Sequence, residues 1–347
     1  MRTVPGVFLL SRQEQGIPMK REIGIDVLRG LSMLYIVGFW HLLEYTRAIA
    51  YQNDITHRIT WITLGVFFFI SGYLVGAGKT SLSARGLGGY YLKRFWRIYP
   101  LFLLALAWFT HLGICRHDMA LRAALGISVF AGPAPPTLWF VAMIIVFYLV
   151  APVLLYVSRH RGPFAAFLLN LVVMVAMYWY LMATHRLELR MLVYFSVFFL
   201  GVYAGANPWL FAYRKTIAAL AVLSFMLSYF SHVQSLPMRI VSIVPMIALC
   251  SLFVVMLARE LRLGPGRLRS GVLALSCASY CMYLFHRPIY ILANRFYFPA
   301  TPWLQVVYLV GLCLPLVILF SYVVQKSYDL VVKNVPLWLG AALPARR

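Results

Sequence analysis

The sequence predicts an all-α, polytopic integral membrane protein of about ten transmembrane helices with both termini in the cytoplasm. Three observations carry that prediction. Hydrophobic residues make up 63% of the 347, against roughly 45–50% in a soluble domain. Charged residues make up 12%, about half the usual share of roughly 25%. The apolar residues also fall in runs long enough to cross a bilayer, which takes about 17–25 residues of helix. With a mean hydropathy of +0.82, the chain has too few polar side chains to cover a water-soluble globule of its size, which excludes a soluble enzyme.

Ten such runs follow one another at 25–46, 59–78, 98–115, 138–158, 163–183, 191–206, 216–232, 239–258, 271–293 and 303–324. The third, sixth and seventh are short. The stretch 121–131 is too brief to span and is expected along the interface or dipping into it. The remaining segments set expected boundaries: a cytoplasmic segment 1–24, a transmembrane domain 25–325 and a cytoplasmic tail 326–347. The VFLL run near the start is too brief for a cleavable leader and is followed by polar residues. The longest polar loops, about twenty residues, leave no room for a second soluble domain, and no fixed-period repeat stands out. Gly72 with Gly76, and Gly201 with Gly205, are spaced for close helix contact.

Charge supplies the orientation. The formal net charge is +22, from 31 Lys and Arg against 9 Asp and Glu. Twenty-one of the 31 lie in the terminal segments and in the loops after spans two, four, six and eight, from Arg2, Arg12, Lys20 and Arg21 to Lys333, Arg346 and Arg347. The opposite loops carry 8: Arg47, Arg58, Arg116, Arg122, Arg186, Arg190, Arg239 and Arg295; Arg29 and Arg287 lie inside spans. The positive-inside rule then puts both termini in the cytoplasm. With few polar segments that could form a nucleic-acid face, the excess reads as loop charge and no nucleic-acid partner is expected. The five cysteines, Cys115, Cys250, Cys277, Cys281 and Cys313, lie in or beside apolar runs without ligand spacing; neither a disulfide framework nor a metal is expected.

A charge inside a span costs several kcal/mol, so the polar residues there single themselves out. The first span holds Asp26, Arg29, His41 and Glu44. Asp26 with Arg29, and His41 with Glu44, are three apart and can pair on one helix face. The first pair reads either as an interfacial salt bridge or as part of a site. The second reads either as an interfacial helix end or as a general base, because a carboxylate beside a histidine fixes its tautomer. Span nine carries SYCMYLFHRPIY, with His286 and Arg287 before a proline. Counted from the cytoplasmic ends, His41 and His286 both rise about 22–24 Å, so they can line one polar cavity; a helix cap or interhelical hydrogen bond is the alternative for His286. Between spans two and three, GYYLKRFWRIYP sets Lys93, Arg94 and Arg97 among aromatics at what reads as a helix start. Arginine forks and a helix N-terminus suit phosphate oxygens; positive-inside anchoring has the same appearance.

At REIGIDVLRGLSMLYIVGFWH, FFFISGYLV and YLKRFWRIYP, then TLWFVAMIIVFYLVAPVL (137–154) and SYCMYLFHRPIY (279–290), the chain resembles the family 3 membrane acyltransferases, bacterial O-acyltransferases of the inner membrane. Five motifs in the family's order cover roughly residues 21–325. The family's first-span pattern is an arginine, ten residues and an essential histidine, which maps onto Arg29 and His41 with eleven residues between them. At about 100° per residue this leaves the two side chains about 120° apart instead of some 20°. Either a one-residue bulge near Gly38 restores the register, or Arg29 faces elsewhere. The family's arginine, two residues, arginine motif is intact as Arg94 and Arg97. The glutamate that many members carry after the tryptophan of span four is replaced by apolar residues after Trp139, which is similar to the branch without a fused extracytoplasmic domain.

The resemblance implies transfer of an acyl group, acetyl first among them, from cytoplasmic acyl-CoA to a hydroxyl of a cell-surface or lipid-linked carbohydrate. Arg94, Arg97 and Lys93 then hold the nucleotide phosphates, Arg29 steadies the donor partway, and His41, oriented by Glu44, takes the acceptor proton or carries the acyl group. His286 is expected as an oxyanion or acceptor partner. The rise from Arg29 to His41, about 18 Å, is comparable with a pantetheine arm. A glycolipid transporter or flippase is the alternative, since buried histidines and carboxylates also build proton relays, as is an inactive assembly partner; no inverted repeat supports transport.

Overall fold

A computed structural model of the protein describes residues 22–46, 51–231 and 235–342, without side-chain placement for 43 and 334–342. The basic residues Arg2, Arg12, Lys20, Arg21, Arg47, Arg346 and Arg347, and nearly all of the segment 1–24, lie outside the described residues. Among the described residues every regular element is a helix. In chain order these are α1 (Ile23–Gly38), α2 (Asp54–Gly76), α3 (Ala84–His111), α4 (His117–Ala124), α5 (Ser128–Ala131), α6 (Trp139–His160), α7 (Pro163–Thr184), α8 (Arg190–Ala206), α9 (Arg214–Phe230), α10 (Leu236–Glu260), α11 (Arg267–Phe296), α12 (Pro302–Tyr308) and α13 (Leu314–Ala342).

Each of the ten apolar runs falls on a helix, but among the described residues seven helical segments are long and apolar enough to cross a membrane. They are α1 with its extension to Leu42, α2, α6, α7, α10, α11, and α12 with α13 through Lys333. The third, sixth and seventh runs fall on α3, α8 and α9, which are not among them. Both α8 and α9 have 17 residues, and α3 opens on a polar stretch that dilutes its apolar part. The stretch 121–131 forms the end of α4, a turn and α5, too short to span as expected.

Local signals explain where the helices begin. Asn53 caps α2 by accepting from the Ile55 and Thr56 amides, and Thr56 returns a bond to the Asn53 amide; this reciprocal cap satisfies orphan donors at both residues. Pro163 and Pro302 open α7 and α12, where a missing N–H costs nothing. Helix α12 runs into α13 through one wide turn, Leu309–Cys313.

The core seam is α2 against α8, and the spaced glycines make it. A Cβ on Gly72 would stand 2.1 Å from the Phe198 carbonyl oxygen, and one on Gly76 2.0 Å from that of Val202. From the other side, a Cβ on Gly201 or Gly205 would stand 2.3 Å from the carbonyl oxygens of Phe69 or Tyr73. The two backbones touch through all four glycines, as small-residue spacing in membrane helices allows. Helix α7 is the opposite case: only 6% of its apolar window is buried. With Phe164, Phe167, Leu171 and Trp179 exposed, it is the segment most suited to a lipid surround.

Helices α1 and α11 run side by side in the interior. Gly30 lets the Leu275 side chain approach α1 closely. Ser276 donates to the Asp26 carboxylate at 2.7 Å, and Arg29 donates to Ser279 at 3.5 Å. This pairing sets the level of everything above it.

Candidate active site

The continuous first span expected over 25–46 is broken. Helix α1 ends at Gly38, Phe39 leaves the helical region (φ −127°, ψ −62°), and a 3₁₀ turn follows over Trp40–Glu44. Tyr51 braces the break: its hydroxyl donates to the Phe39 carbonyl, and its ring lies 4.1 Å from that of Phe39. Asp26 is opposite Ser276, and ten further residues along α11 reach His286. Fifteen along a straight α1 would carry His41 about 7.5 Å too high, at 1.5 Å per residue. The break ends that climb and brings the two imidazoles to one level. A one-residue bulge at Gly38 is therefore not how the longer Arg29–His41 spacing is accommodated; the helix stops instead, and the 3₁₀ turn, at about three residues per turn, re-aims His41.

His41 Nδ1 lies 2.8 Å from His286 Nε2, and the rings are coplanar within 6° with centroids 4.8 Å apart. That is an in-plane hydrogen bond between ring edges. His286 Nδ1 faces two carbonyl oxygens, Met282 at 3.0 Å and Tyr283 at 2.9 Å. Carbonyls only accept, so Nδ1 of His286 carries a proton and, in the neutral ring, its Nε2 accepts. His41 Nδ1 must then donate, which leaves His41 Nε2 as the nitrogen with a lone pair. The carboxylate expected to orient His41 does something else: Glu44 is ion-paired with Arg287. The partner of His41 is an imidazole, because the 3₁₀ turn sends Glu44 to the arginine that follows His286.

His41 lines an upper cavity of about 640 Å³ together with Trp40, Glu44, Trp61, Trp139, Glu188, Arg190, Arg239, Tyr283 and Arg287. The Arg190 guanidinium sits 4.3 Å above the Trp139 ring and 3.5 Å from the Glu188 carboxylate. At the other end of the interior is a lower cavity of about 960 Å³. Its walls carry Arg29, Lys93, Arg94, Arg97, Lys326 and Lys333 against one carboxylate, Asp329. Arg29 and His41 thus open on different cavities, and the two cavities share Leu64 and Tyr283 in their linings.

The basic cluster on α3 is not at a helix start. Ser83 caps α3 at Ala84 by accepting from the Gly86 amide, so Lys93, Arg94 and Arg97 sit more than two turns inside. The dipole argument for phosphate binding therefore falls away, because that field fades beyond the first turn; the guanidinium forks are what remain. Arg94 lies over the rings of Tyr148 (4.4 Å) and Tyr90 (5.6 Å). Helix α3 is tied to its neighbours here by Tyr280, which donates to the Ile98 carbonyl at 2.8 Å, and by Tyr328, which donates to that of Trp96.

Sequence reasoning did not name Arg287, Arg190, Trp139, Tyr283, Lys326 or Lys333 as site residues. Arg287 had a signal, a charge inside a span beside His286. Lys326 and Lys333 fall in the expected tail, yet α13 runs unbroken past that boundary and carries both into the lower cavity.

A family model for the acyltransferase domain of the acyltransferase 3 family matches residues 22–322, most of the chain. The chain belongs to the acyltransferase 3 family. Neither the curated proteins nor the solved structures contain a match to it. Within this acyltransferase 3 domain lie both histidines, Arg29 and the Arg94–Arg97 pair, whereas Lys326 and Lys333 follow the matched residues.

Proposed function

We propose that this membrane acyltransferase moves an acyl group, acetyl in the simplest case, from acyl-coenzyme A in the lower cavity to a hydroxyl of a cell-surface or lipid-linked carbohydrate in the upper one. The observation that carries the reading is His41, which lines one cavity and is hydrogen-bonded to His286 buried behind it, with a second cavity lined by six cations sharing part of its wall. The lower cavity fits a donor with several phosphates: its cations outnumber its carboxylate, and arginine forks match phosphate oxygens. The excess of basic residues lining that end fits a cytoplasmic face for the lower cavity, within the bacterial inner membrane that the reading assumes. Trp40, Trp61 and Trp139, with the polar groups between them, suit the mixed surface of a saccharide.

In this scheme His41 Nε2 takes the proton of the acceptor hydroxyl as the oxygen attacks the thioester carbonyl. The carbon–sulfur bond then breaks, and the departing thiolate takes the proton from Nε2, releasing coenzyme A. His286 accepts from His41 Nδ1 throughout, so the new charge is shared across a bond already in place. Arg287, tied to Glu44 beside the pair, supplies a fixed positive charge near the developing oxyanion.

The test has two arms. Purified protein in lipid nanodiscs, given acetyl-coenzyme A and candidate glycans, should release coenzyme A, and surface glycans of cells lacking the gene should lose an acyl mass. Gradient-driven glycolipid movement without coenzyme A release would overturn the reading in favour of transport.

A further inference from the structure

Among the described residues lining the upper cavity, two, Leu64 of α2 and Tyr283 of α11, also line the lower one. Tyr283 is 4% exposed. Its ring packs 5.2 Å from that of Phe140, which lines the lower cavity, and 6.1 Å from that of His286. The Tyr283 hydroxyl donates to the Thr137 carbonyl at 2.5 Å. Thr137 holds φ at +61°, a left-handed conformation rare for a β-branched side chain. The hydrogen bond to that turn ties the ring across the boundary between the cavities. The Tyr283 carbonyl meanwhile accepts from His286 Nδ1. One residue therefore serves both the histidine pair and the wall beneath it.

We propose that the Tyr283 ring, backed by Leu64, is a partition between donor and acceptor chambers, and that it makes Tyr283 the residue limiting the acyl group to short chains. The length limit rests on the acyl-transfer reading; the partition itself does not. For attack, the thioester carbonyl must come within about 3–3.5 Å of the acceptor oxygen. With the sulfur below and the oxygen above, the acyl chain lies at Leu64, Phe140 and Tyr283, where a long chain meets an aromatic wall. Tyr283→Ala replaces the wall with a void; Tyr283→Phe keeps the wall and deletes only the bond to Thr137.

Two measurements on full-length protein decide the matter. First, octanoyl- and acetyl-coenzyme A are compared by kcat/KM. Tyr283→Ala should raise the octanoyl-to-acetyl ratio by about tenfold or more, the scale on which an apolar pocket discriminates added methylenes, and Tyr283→Phe should leave it near wild type. Second, a small membrane-impermeant methanethiosulfonate is applied to oriented proteoliposomes from the His41 side, and modification of Cys277, a lining residue of the lower cavity, is read by peptide mass spectrometry. Wild type and Tyr283→Phe should stay unmodified and Tyr283→Ala should react. Should Tyr283→Ala fail to fold, Leu64→Ala opens the same wall from α2 and should move both readings in the same direction. An unchanged ratio, or Cys277 labelled equally in wild type and the opened variant, overturns the proposal even where coenzyme A is released. The expected labelling in a protein that releases no coenzyme A upholds the partition and removes the acyl-transfer reading and the length limit with it.

Discussion

The two cavities differ in how their charges are partnered. Around the upper cavity the charged and titratable groups nearest the proposed reacting position already meet: His41 with His286 buried behind it, Glu44 with Arg287, Arg190 with Glu188. Among the described residues lining the lower cavity, Lys93, Arg94, Arg97, Lys326 and Lys333 join Arg29 beside one carboxylate, Asp329, which accepts from Gln325 at 2.9 Å. Arg94 is positioned by tyrosine rings instead of an acid. Packing satisfied pairs together preorganises a site for chemistry, whereas the excess of Lys93, Arg94, Arg97, Lys326 and Lys333 over lining carboxylates leaves electrostatic gain to an arriving anion. Under the proposed function, this contrast puts catalysis in one chamber and recognition in the other.

The largest effect that tests this division is loss of the base. His41→Ala should lower turnover by about 10³–10⁴-fold, at or near the top of the range for general-base catalysis. Donor affinity, measured by calorimetry in nanodiscs, should stay within about twofold, because no cation of the lower cavity is touched. Retained turnover, or a matching loss of donor affinity, would break the separation of roles. His286→Ala comes next. It leaves His41 Nδ1 without its acceptor and frees the ring to change tautomer, so kcat should fall about a hundredfold with KM for the donor unchanged. His286→Asn, whose side-chain oxygen can accept the same bond, should recover part of the loss; a merely structural role predicts no such recovery. Glu44→Gln, which loosens Arg287 without touching the imidazole pair, should cost less than His286→Ala. The reverse order would restore the carboxylate as the orienting group.

The fold was legible because lipid imposes it. Apolar runs of bilayer length dictate helices, and four glycines at spacing four dictate the α2–α8 seam. Of the site, the members were legible and their pairing was not. His41 and His286 stand out as polar groups in apolar runs, and Arg94 and Arg97 as a fork at helical spacing. The pairing of His41 with Glu44 follows from continuing α1 through Phe39. No residue type at 38–39 forbids that continuation, and the break depends on Tyr51 arriving from a later segment. The start of α3 was misplaced for a different reason. Its first turns are glycine-rich and tyrosine-rich instead of apolar, and only the Ser83 cap marks the true beginning. Lys326 and Lys333 were hidden by a boundary drawn where hydropathy falls, although the helix continues as a polar extension.

In the lower chamber the expected effects are smaller and fall on binding. Arg94→Gln and Arg97→Gln should each raise KM for acyl-coenzyme A about tenfold with kcat within about twofold, since a charge-assisted bond contributes about 1.5–3 kcal/mol. The loss should be greatest at low ionic strength, where Debye screening is weakest. A fall in kcat of the same size would place these arginines in the chemistry and erase the contrast between chambers.

The smallest effect belongs to Lys326 of α13. Its ammonium lies 5.6 Å from the centre of the Tyr322 ring, at the wall opposite the α3 arginines, and it offers a point charge where they offer a planar fork. Solvated pairs of this kind contribute about 0–1 kcal/mol. Lys326→Met should therefore raise KM only about threefold, and Lys326→Arg should restore it, in a steady-state titration of acyl-coenzyme A at fixed acceptor. A tenfold rise equal to that of Arg94→Gln would mean that the chamber counts positive charge and ignores its geometry. In that case the guanidinium forks on α3 would no longer be the reason the donor seats there, and recognition would be a property of the whole basic end of the bundle.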